Sequence, residues 1–298
     1  MALKRSELLF LYDIENNNPN GDPLDSNKPR MDEETGHNIV TDVRLKRTIR
    51  DYLMNFKGFD GTGEKDIFVK TIEDEKGFVQ DGKARAKNFN DKKEEVLKKC
   101  IDIRLFGGVL PLEGDSITFT GPVQFKMGKS LNQTEVVYIK GTGAFASGKD
   151  KGNKTFREEY IVPYSLISFY GLINENSAKH TSLSQEDVKL LLEGIWEGTK
   201  ILNTRSKVGQ TPQLLLKINY KENNFHIGAL DKLIKIKSNL EDLKIRDIQE
   251  VTLDIELLKA VISKNQSKIE SIEYKLGDRV SLTSDIKTIF THMQEIVY

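Results

Sequence analysis

The sequence has 298 residues with a formal net charge of zero, 38% hydrophobic residues and 30% charged residues. This composition is typical of a globular protein with enough length for a sizeable core, and it excludes an intrinsically disordered chain. The single cysteine excludes an intramolecular disulfide and a thiolate metal cluster. No stretch approaches the roughly 18 apolar residues of a membrane span, so we expect a cytoplasmic protein without a membrane partner.

The first strand and helix are predicted within the first 56 residues. Residues 6–14 form a short apolar run that predicts a strand, and a polar loop follows it. Thr41 or Asp42 can cap the next helix. Its apolar residues recur at the spacing of one helix face, at Leu45, Ile49, Tyr52, Leu53 and Phe56.

The middle of the chain predicts an insertion and several strands. Residues 57–100 are rich in charged residues and glycine, which indicates a variable insertion of mixed structure. Residues 101–106 predict a strand that ends at two glycines. Residues 116–127 predict a β-rich segment broken by a Gly-Pro pair. Residues 134–139 predict one arm of a hairpin, whose tip, residues 141–156, is glycine-rich and basic.

The later elements complete an α+β pattern. Residues 160–173 are an apolar segment, Ser184 and Asp187 predict the capped start of a second helix, and residues 214–220 predict a strand. Without the insertions, the order is strand, helix, strand, strand, helix, strand, which is the pattern of ferredoxin-like and RNA-recognition folds. Residues 222–298 have no evident place in that pattern, although they predict a helix near 254–264 and a strand near 268–276.

The polar loop of residues 13–27, DIENNNPNGDPLDSN, which we call the asparagine loop, resembles a calcium-binding loop only in part. Asn16, Asn18 and Asn20 alternate before Gly21, but the twelfth position is Asn27 where an EF-hand needs a bidentate glutamate. We therefore predict no calcium site there. The loop is either a plain turn cluster or a polar loop that meets a ligand.

Other chemical motifs fail on their spacing. The GKS sequence at residues 128–130 would need a glycine five positions earlier to form a phosphate loop, and that position is Val123. The GTGAFA sequence at residues 141–146 lacks the third glycine of a dinucleotide-binding motif. The four histidines are dispersed without metal-ligand spacing. We predict no catalytic residue, no metal and no cofactor.

A possible binding surface follows the asparagine loop. Cationic side chains on the helix could donate to phosphate oxygens, and asparagines could meet sugars or base edges. Residues 126–157 hold seven basic residues against two acidic ones, and residues 200–221 hold five basic residues and no acidic one. Such faces suit a polyanion but are also common on ordinary solvated surfaces, so both alternatives stay open. The basic residues of the helix are Arg44, Lys46, Arg47 and Arg50.

Five blocks in the same order resemble the backbone subunit of type I CRISPR surveillance complexes, known as Cascade, and most of all its type I-B branch. The blocks are NPNGDP at residues 18–23, GHNIVTDVRLKRTIRDYL at 36–53, DIRLFGG at 102–108, GPVQFKMGKSL at 121–131 and VPYSLISFYGLIN at 162–174. The resemblance implies one RNA-recognition-like palm domain over residues 1–298 and a thumb hairpin at about residues 128–158. It also implies that copies polymerise head to tail along a CRISPR RNA, which pairs with target DNA, together with other Cascade subunits.

The resemblance also implies which residues hold RNA. Lys46 and Arg50 lie where the family grips guide phosphates, with Arg44 and Arg47 beside them. Asn18 and Asn20 lie in the adjoining loop, and Lys207 lies in the acid-free stretch. The predicted thumb contributes Lys129, Phe145, Lys149, Lys151, Lys154 and Arg157.

Two other functions remain open from the sequence. Backbone subunits of type III complexes, which are related to this family, cut target RNA with a loop aspartate and a divalent metal, and Asp22 and Asp25 lie in a comparable loop. The surrounding motifs resemble type I, so we predict that the protein is not an enzyme. The third possibility is an RNA-binding scaffold outside CRISPR defence.

Overall fold

The structure is a computed structural model that describes residues 3–73, 77–146 and 154–298, with described side chains excluding those of 143–146 and 154–156. None of the helices in these ranges is long and apolar enough to cross a membrane. The elements of the first half are β1 (Ser6–Asn17), β2 (Gly21–Asp22), β3 (Lys28–Pro29), β4 (Met31–Asp32), β5 (His37–Val40), α1 (Asp42–Phe56), α2 (Gly82–Lys87), α3 (Lys93–Lys99), α4 (Ile101–Phe106), β6 (Gly107–Pro111), β7 (Ser116–Thr120) and β8 (Val123–Phe125).

The second half holds the longest strands and the second long helix. Its elements are β9 (Gly128–Gln133), β10 (Val137–Ala146), β11 (Lys154–Ile173), α5 (Glu175–Thr181), α6 (Gln185–Lys200), β12 (Thr211–Tyr220), β13 (Lys235–Lys237), β14 (Thr252–Asp254), α7 (Glu256–Lys264), β15 (Ile269–Leu276), β16 (Ser281–Leu282) and β17 (Met293–Glu295).

The main sheet is built around β1. Its strand order is β17-β15-β12-β1-β11-β9-β5-β4, and β8 and β10 pair separately with β11. Strand β1 is antiparallel to both β11 and β12. Helix α1 follows β1, and α6 connects β11 to β12. The chain is therefore a mixed α+β protein with a largely antiparallel sheet.

Both faces of β1 are buried, each in a different core. Leu8 and Phe10 pack on the face that carries α1 and α6. Leu9 and Leu11 pack on the opposite face, against β12, α7 and β15. Alternate residues of a strand point to opposite faces, so the continuous apolar run of β1 serves two cores. The segment that follows β12, which the sequence pattern left unplaced, covers the second face of the sheet.

Helices α1 and α6 pack closely because α6 has glycines at the contact. A Cβ on Gly194 would meet Ile49 Cγ2 at 3.0 Å, and a Cβ on Gly198 would meet Tyr52 Cβ at 3.0 Å. The predicted capping box of α6 is confirmed, since the Ser184 side chain accepts from the backbone N–H of residue 187 and the carboxylate there accepts from the Ser184 N–H.

The prediction of a strand at residues 101–106 is wrong, because this segment is helix α4. Apolar side chains alternate there with polar ones, which is typical of a strand, but Asp102 is fully buried. Its carboxylate accepts from the backbone N–H groups of Phe68 at 2.7 Å and Val69 at 3.0 Å. These long-range bonds allow a charged residue inside the fold, so the alternation does not mark a solvent-exposed face.

Candidate nucleic-acid interface

The asparagine loop is held against the segment that connects α6 to β12. Asn17 Nδ2 donates to the Val208 carbonyl oxygen at 2.8 Å, and the Asn18 N–H donates to the Ser206 carbonyl oxygen at 3.2 Å. These bonds join two parts of the chain that are nearly 200 residues apart in sequence. The fold thus brings the asparagine loop and the acid-free basic stretch together, as an RNA interface built from both would need.

Asn18 and Asn20 make bonds within the protein. Asn18 is only 3% exposed, and its Nδ2 donates to the Asn27 carbonyl oxygen at 2.7 Å. Its Oδ1 is buried without a hydrogen-bond partner among the described groups. Asn20 Oδ1 accepts from the Thr41 N–H at 2.8 Å and the Thr41 hydroxyl at 2.9 Å. Both side chains therefore shape the loop, and their contact with RNA stays a prediction.

Arg44 and Lys207 lie together beside this loop. Arg44 Nη2 donates to the Thr48 hydroxyl at 3.0 Å, while its Nε is buried without a described partner. Burial lowers the pKa of Arg44. Burial and the neighbouring Arg44 charge also lower the pKa of Lys207. Like charges that interact in this way repel each other, and an anion bound near both would relieve that repulsion.

Lys46 and Arg50 point to a different face of α1, toward α4. Lys46 Nζ pairs with Asp42 at 2.9 Å, and Arg50 Nε pairs with the buried Asp102 at 2.9 Å. Both cations lie over the Phe106 ring, and each side chain is 12% exposed. Residues four apart share a helix face, so these two residues brace α1 against α4. A role of Lys46 and Arg50 in RNA binding stays a prediction.

Two further predicted residues are exposed and paired within the protein. Arg47 Nε pairs with Asp51 at 2.6 Å, one turn along the helix. Lys129 Nζ pairs with Asp32 at 2.6 Å, and this bond lowers the pKa of Asp32 to about 2. None of the four residues in these two pairs belongs to the asparagine loop. Surface ion pairs of this kind are weak, so both cations could exchange a carboxylate for a phosphate.

Two arginines pair with one glutamate of β11, one from β11 itself and one from the segment between α6 and β12. Arg157, which the sequence predicted, and Arg205, which it did not single out, both pair with Glu159, the second at 3.2 Å. Arg205 was detectable as a member of the acid-free stretch. The side chains of Phe145 and Lys154, and all of Lys149 and Lys151, lie outside the described residues. We call Arg44, Arg157, Arg205 and Lys207 the basic surface.

The sequence analysis also missed an aromatic pair at the base of the hairpin. Tyr138 and Tyr160 face each other across β10 and β11 with ring centroids 5.1 Å apart, and Tyr138 is 46% exposed. Lys28, in strand β3, has its Nζ 5.5 Å from the Tyr160 ring centroid. An exposed tyrosine beside cations can stack on a nucleic-acid base. The sequence could have predicted this pair, because the two tyrosines lie on either side of the predicted hairpin tip.

Two carboxylates of the asparagine loop, those of Asp22 and Asp25, are bonded to cations. Asp22 pairs with Arg30 at 2.7 Å, and Asp25 pairs with Lys28 at 2.8 Å. Across the described residues, no group of three or more histidine, cysteine or acidic side chains is placed to hold a metal ion.

Comparison with known proteins shows the family of the chain. The model of the family "CRISPR-associated protein Cas7" matches residues 4–256. A curated relative, "CRISPR-associated protein Cas7" of Haloferax volcanii, is 33% identical over 324 aligned positions that cover 99% of this chain and 94% of the relative. The chain belongs to the Cas7 family. The resemblance of its sequence blocks to a CRISPR backbone subunit is thereby confirmed, and the type I-B branch stays a prediction.

Two chains of solved RNA-guided complexes share the fold of this Cas7-family chain. A chain of "CRISPR RNA-guided surveillance complex, pre-nicking" aligns with a TM-score of 0.61 and 11% identity, covering 99% of this chain and 96% of that chain. A chain of "CRISPR RNA-guided surveillance complex" aligns with a TM-score of 0.58 and 13% identity, covering 97% of this chain and 94% of that chain. At these identities the match concerns the fold.

Proposed function

We propose that this Cas7-family chain is the CRISPR RNA-binding backbone subunit of a type I Cascade complex, of the type I-B branch. Its copies line the guide head to tail, in the cytoplasm, together with other Cascade subunits, and the bound guide pairs with target DNA. The family membership and the fold shared with surveillance complexes support this assignment. The observation that carries it is the hydrogen bonding of the asparagine loop to the acid-free stretch that holds Lys207, where the charge of Arg44 also lowers the pKa of Lys207. Membership in a CRISPR-associated family argues against a scaffold outside CRISPR defence.

The topology supports a ferredoxin-like palm. Strands β12, β1, β11 and β9 are adjacent in this order and antiparallel, and α1 and α6 lie between consecutive members of the set in sequence. This is the arrangement of a split β-α-β-β-α-β unit. The hairpin of β10 and β11 leaves the sheet beside the basic surface and is our candidate thumb.

In this proposal the protein reads the backbone of the guide and leaves its sequence to base pairing. Guanidinium groups of the basic surface pair with phosphates, and Tyr138 offers a ring on which a base can stack. Such contacts do not depend on base identity, which a subunit that serves many guides requires.

Removing the charges of Arg44 and Lys207 tests this assignment. We expect Arg44→Ala with Lys207→Ala to weaken guide binding by about 10- to 100-fold, since two charge-assisted contacts are lost. The negative slope of log affinity against log salt concentration should become shallower by about 1.4, because each single-strand phosphate contact contributes about 0.7 to its magnitude. Binding of labelled CRISPR RNA over a salt series measures both quantities.

A matched control removes the same charge elsewhere. Lys4 and Lys98 are exposed lysines paired with Glu270 and Glu64. Lys4→Ala with Lys98→Ala should leave the salt slope near that of the wild type. If the two double variants behave alike, the basic surface does not hold the guide. If Lys46→Ala alone reproduces the larger loss, the phosphate site lies on the other face of α1.

We further propose that the protein is not a nuclease. Asp22 and Asp25 pair with Arg30 and Lys28, which follow the asparagine loop, and these cations would compete with a metal ion for the two carboxylates. Guide-bound protein mixed with complementary RNA and magnesium should therefore yield no cleavage product. A product that disappears in Asp22→Ala or Asp25→Ala would assign the type III activity instead.

A further inference from the structure

Asn20 and Gly21 form a chemically reactive pair. They are the only Asn-Gly dipeptide in the sequence. An asparagine can lose its side-chain amide when the next backbone nitrogen attacks Cγ, and a following glycine hinders that attack least because it has no side chain. Asn20 is partly exposed, so water and hydroxide can reach it.

The fold activates the carbonyl group of Asn20. Its Oδ1 accepts two hydrogen bonds from Thr41, from the N–H at 2.8 Å and from the hydroxyl at 2.9 Å. Attack on Cγ places negative charge on this oxygen. Two donors already aimed at an oxygen that becomes an oxyanion stabilise the transition state, as in acyl-transfer enzymes. Asn20 Nδ2, the leaving group, lies 3.5 Å from the Gly21 carbonyl oxygen.

The asparagine loop has no room for a side chain at position 21, where glycine favours attack on Asn20 Cγ. A Cβ at Gly21 would lie 2.1 Å from Asn27 Oδ1 and 2.7 Å from the Asn27 carbonyl oxygen. Atoms cannot approach this closely, so a larger residue would displace the hairpin of β2 and β3. The requirement for glycine at 21 and the bonds of Asn20 to Thr41 together preserve the reactive dipeptide.

We propose that Asn20 is a self-deamidation site. Hydroxide removes the Gly21 amide proton, the nitrogen bonds to Asn20 Cγ, and Nδ2 leaves as ammonia after taking a proton from water. A five-membered succinimide results, and water then opens it at either carbonyl to give aspartate or isoaspartate at position 20. One water is consumed and one ammonia released, with no change of oxidation state.

The reaction adds a negative charge beside the start of α1, next to the basic surface. The isoaspartate product also adds a methylene to the backbone of the asparagine loop. A carboxylate there repels guide phosphates, so the converted protein should bind RNA more weakly. This consequence rests on the proposed function, whereas the reaction itself does not.

Mass spectrometry of the peptide that contains position 20 measures the reaction. The RNA-free full-length chain is incubated at neutral and mildly alkaline pH, folded in buffer or unfolded in urea. We expect conversion at position 20 at least as fast in the folded chain as in the unfolded one, and faster at the higher pH. Slower conversion in the folded chain would mean that the fold protects Asn20 and would overturn the proposal.

Variants at Thr41 separate activation from mere exposure. Thr41→Val removes the hydroxyl donor and should slow conversion several-fold, while Thr41→Ser keeps the hydroxyl and should convert as the wild type does. Unchanged or faster conversion in Thr41→Val contradicts the role of these donors. In fresh protein, Asn20→Asp should weaken guide binding. Failure of that result alone would count against the RNA assignment and leave the mass measurement intact.

Discussion

Replacing Glu7 with glutamine should lower the free energy of unfolding by about 3 kcal/mol, because a fully buried carboxylate there accepts four hydrogen bonds. One oxygen accepts from the Tyr170 hydroxyl at 2.6 Å and the Gly228 N–H at 2.7 Å. The other accepts from the Tyr220 hydroxyl and from the Ile227 N–H at 2.9 Å. A glutamine NH₂ group must face one of these backbone N–H groups, which cannot reverse direction, so at least one buried donor loses its acceptor.

Urea unfolding followed by far-UV circular dichroism measures the loss. The matched control is Glu270→Gln, since Glu270 forms an exposed pair with Lys4 and should change the free energy of unfolding by less than about 1 kcal/mol. Hydrogen exchange at Ile227 and Gly228 should accelerate in the Glu7 variant, because the carboxylate ties this segment to β1. Equal midpoints for the two variants would show that Glu7 does not hold the segment.

Replacing Asp13 with asparagine should remove a pH dependence of stability on the order of 3 kcal/mol. Burial raises the pKa of Asp13 to about 6, against the opposing effects of hydrogen bonds from Gln213 and Tyr164. The native state therefore binds a proton that the unfolded chain has released between pH 4 and 6. Stability due to this group is present at about pH 4 and is lost as the pH rises through about 6.

The variant should be more stable than the wild type at neutral pH and nearly equal to it near pH 4. An asparagine can keep both bonds, since its oxygen accepts from Gln213 Nε2, now 3.0 Å from Asp13, and its NH₂ can donate to the Tyr164 oxygen. Urea midpoints of both proteins over this pH range give a difference curve in which other titrating groups cancel. Parallel curves would mean that Asp13 titrates alike in the folded and unfolded chains.

Local sequence patterns predicted the elements whose signals lie within a few neighbouring residues. The helical stripe of α1, the capping box of α6 and the apolar run of β12 are encoded within a few residues, and each lies where the sequence indicated, except that Phe56 at the end of the α1 stripe is exposed. The pattern failed at α4, because the burial of Asp102 depends on backbone donors more than 30 residues away. The segment after β12 was unplaced for a similar reason, since its partner is a face of β1 at the other end of the chain.

The candidate site shows the same division. Composition alone indicated the asparagine loop and the acid-free stretch, and the fold brings them together. Helix spacing alone could not tell which face of α1 is turned toward α4. The cations of Lys46 and Arg50 lie over the Phe106 ring, and the sequence of α1 does not show where that ring lies. The preference for these two residues came from the family resemblance, and their contact with RNA stays a prediction.

The burial of β1 on both sides has a consequence for synthesis of the protein. Leu8 and Phe10 can be covered as soon as α1 and α6 have formed, but the other face of β1 needs β12, α7 and β15. Until the ribosome has released those segments, Leu9 and Leu11 remain open to any apolar surface nearby. A nascent chain in this state presents a two-sided sheet with one uncovered side, which makes it prone to aggregation and a substrate for chaperones.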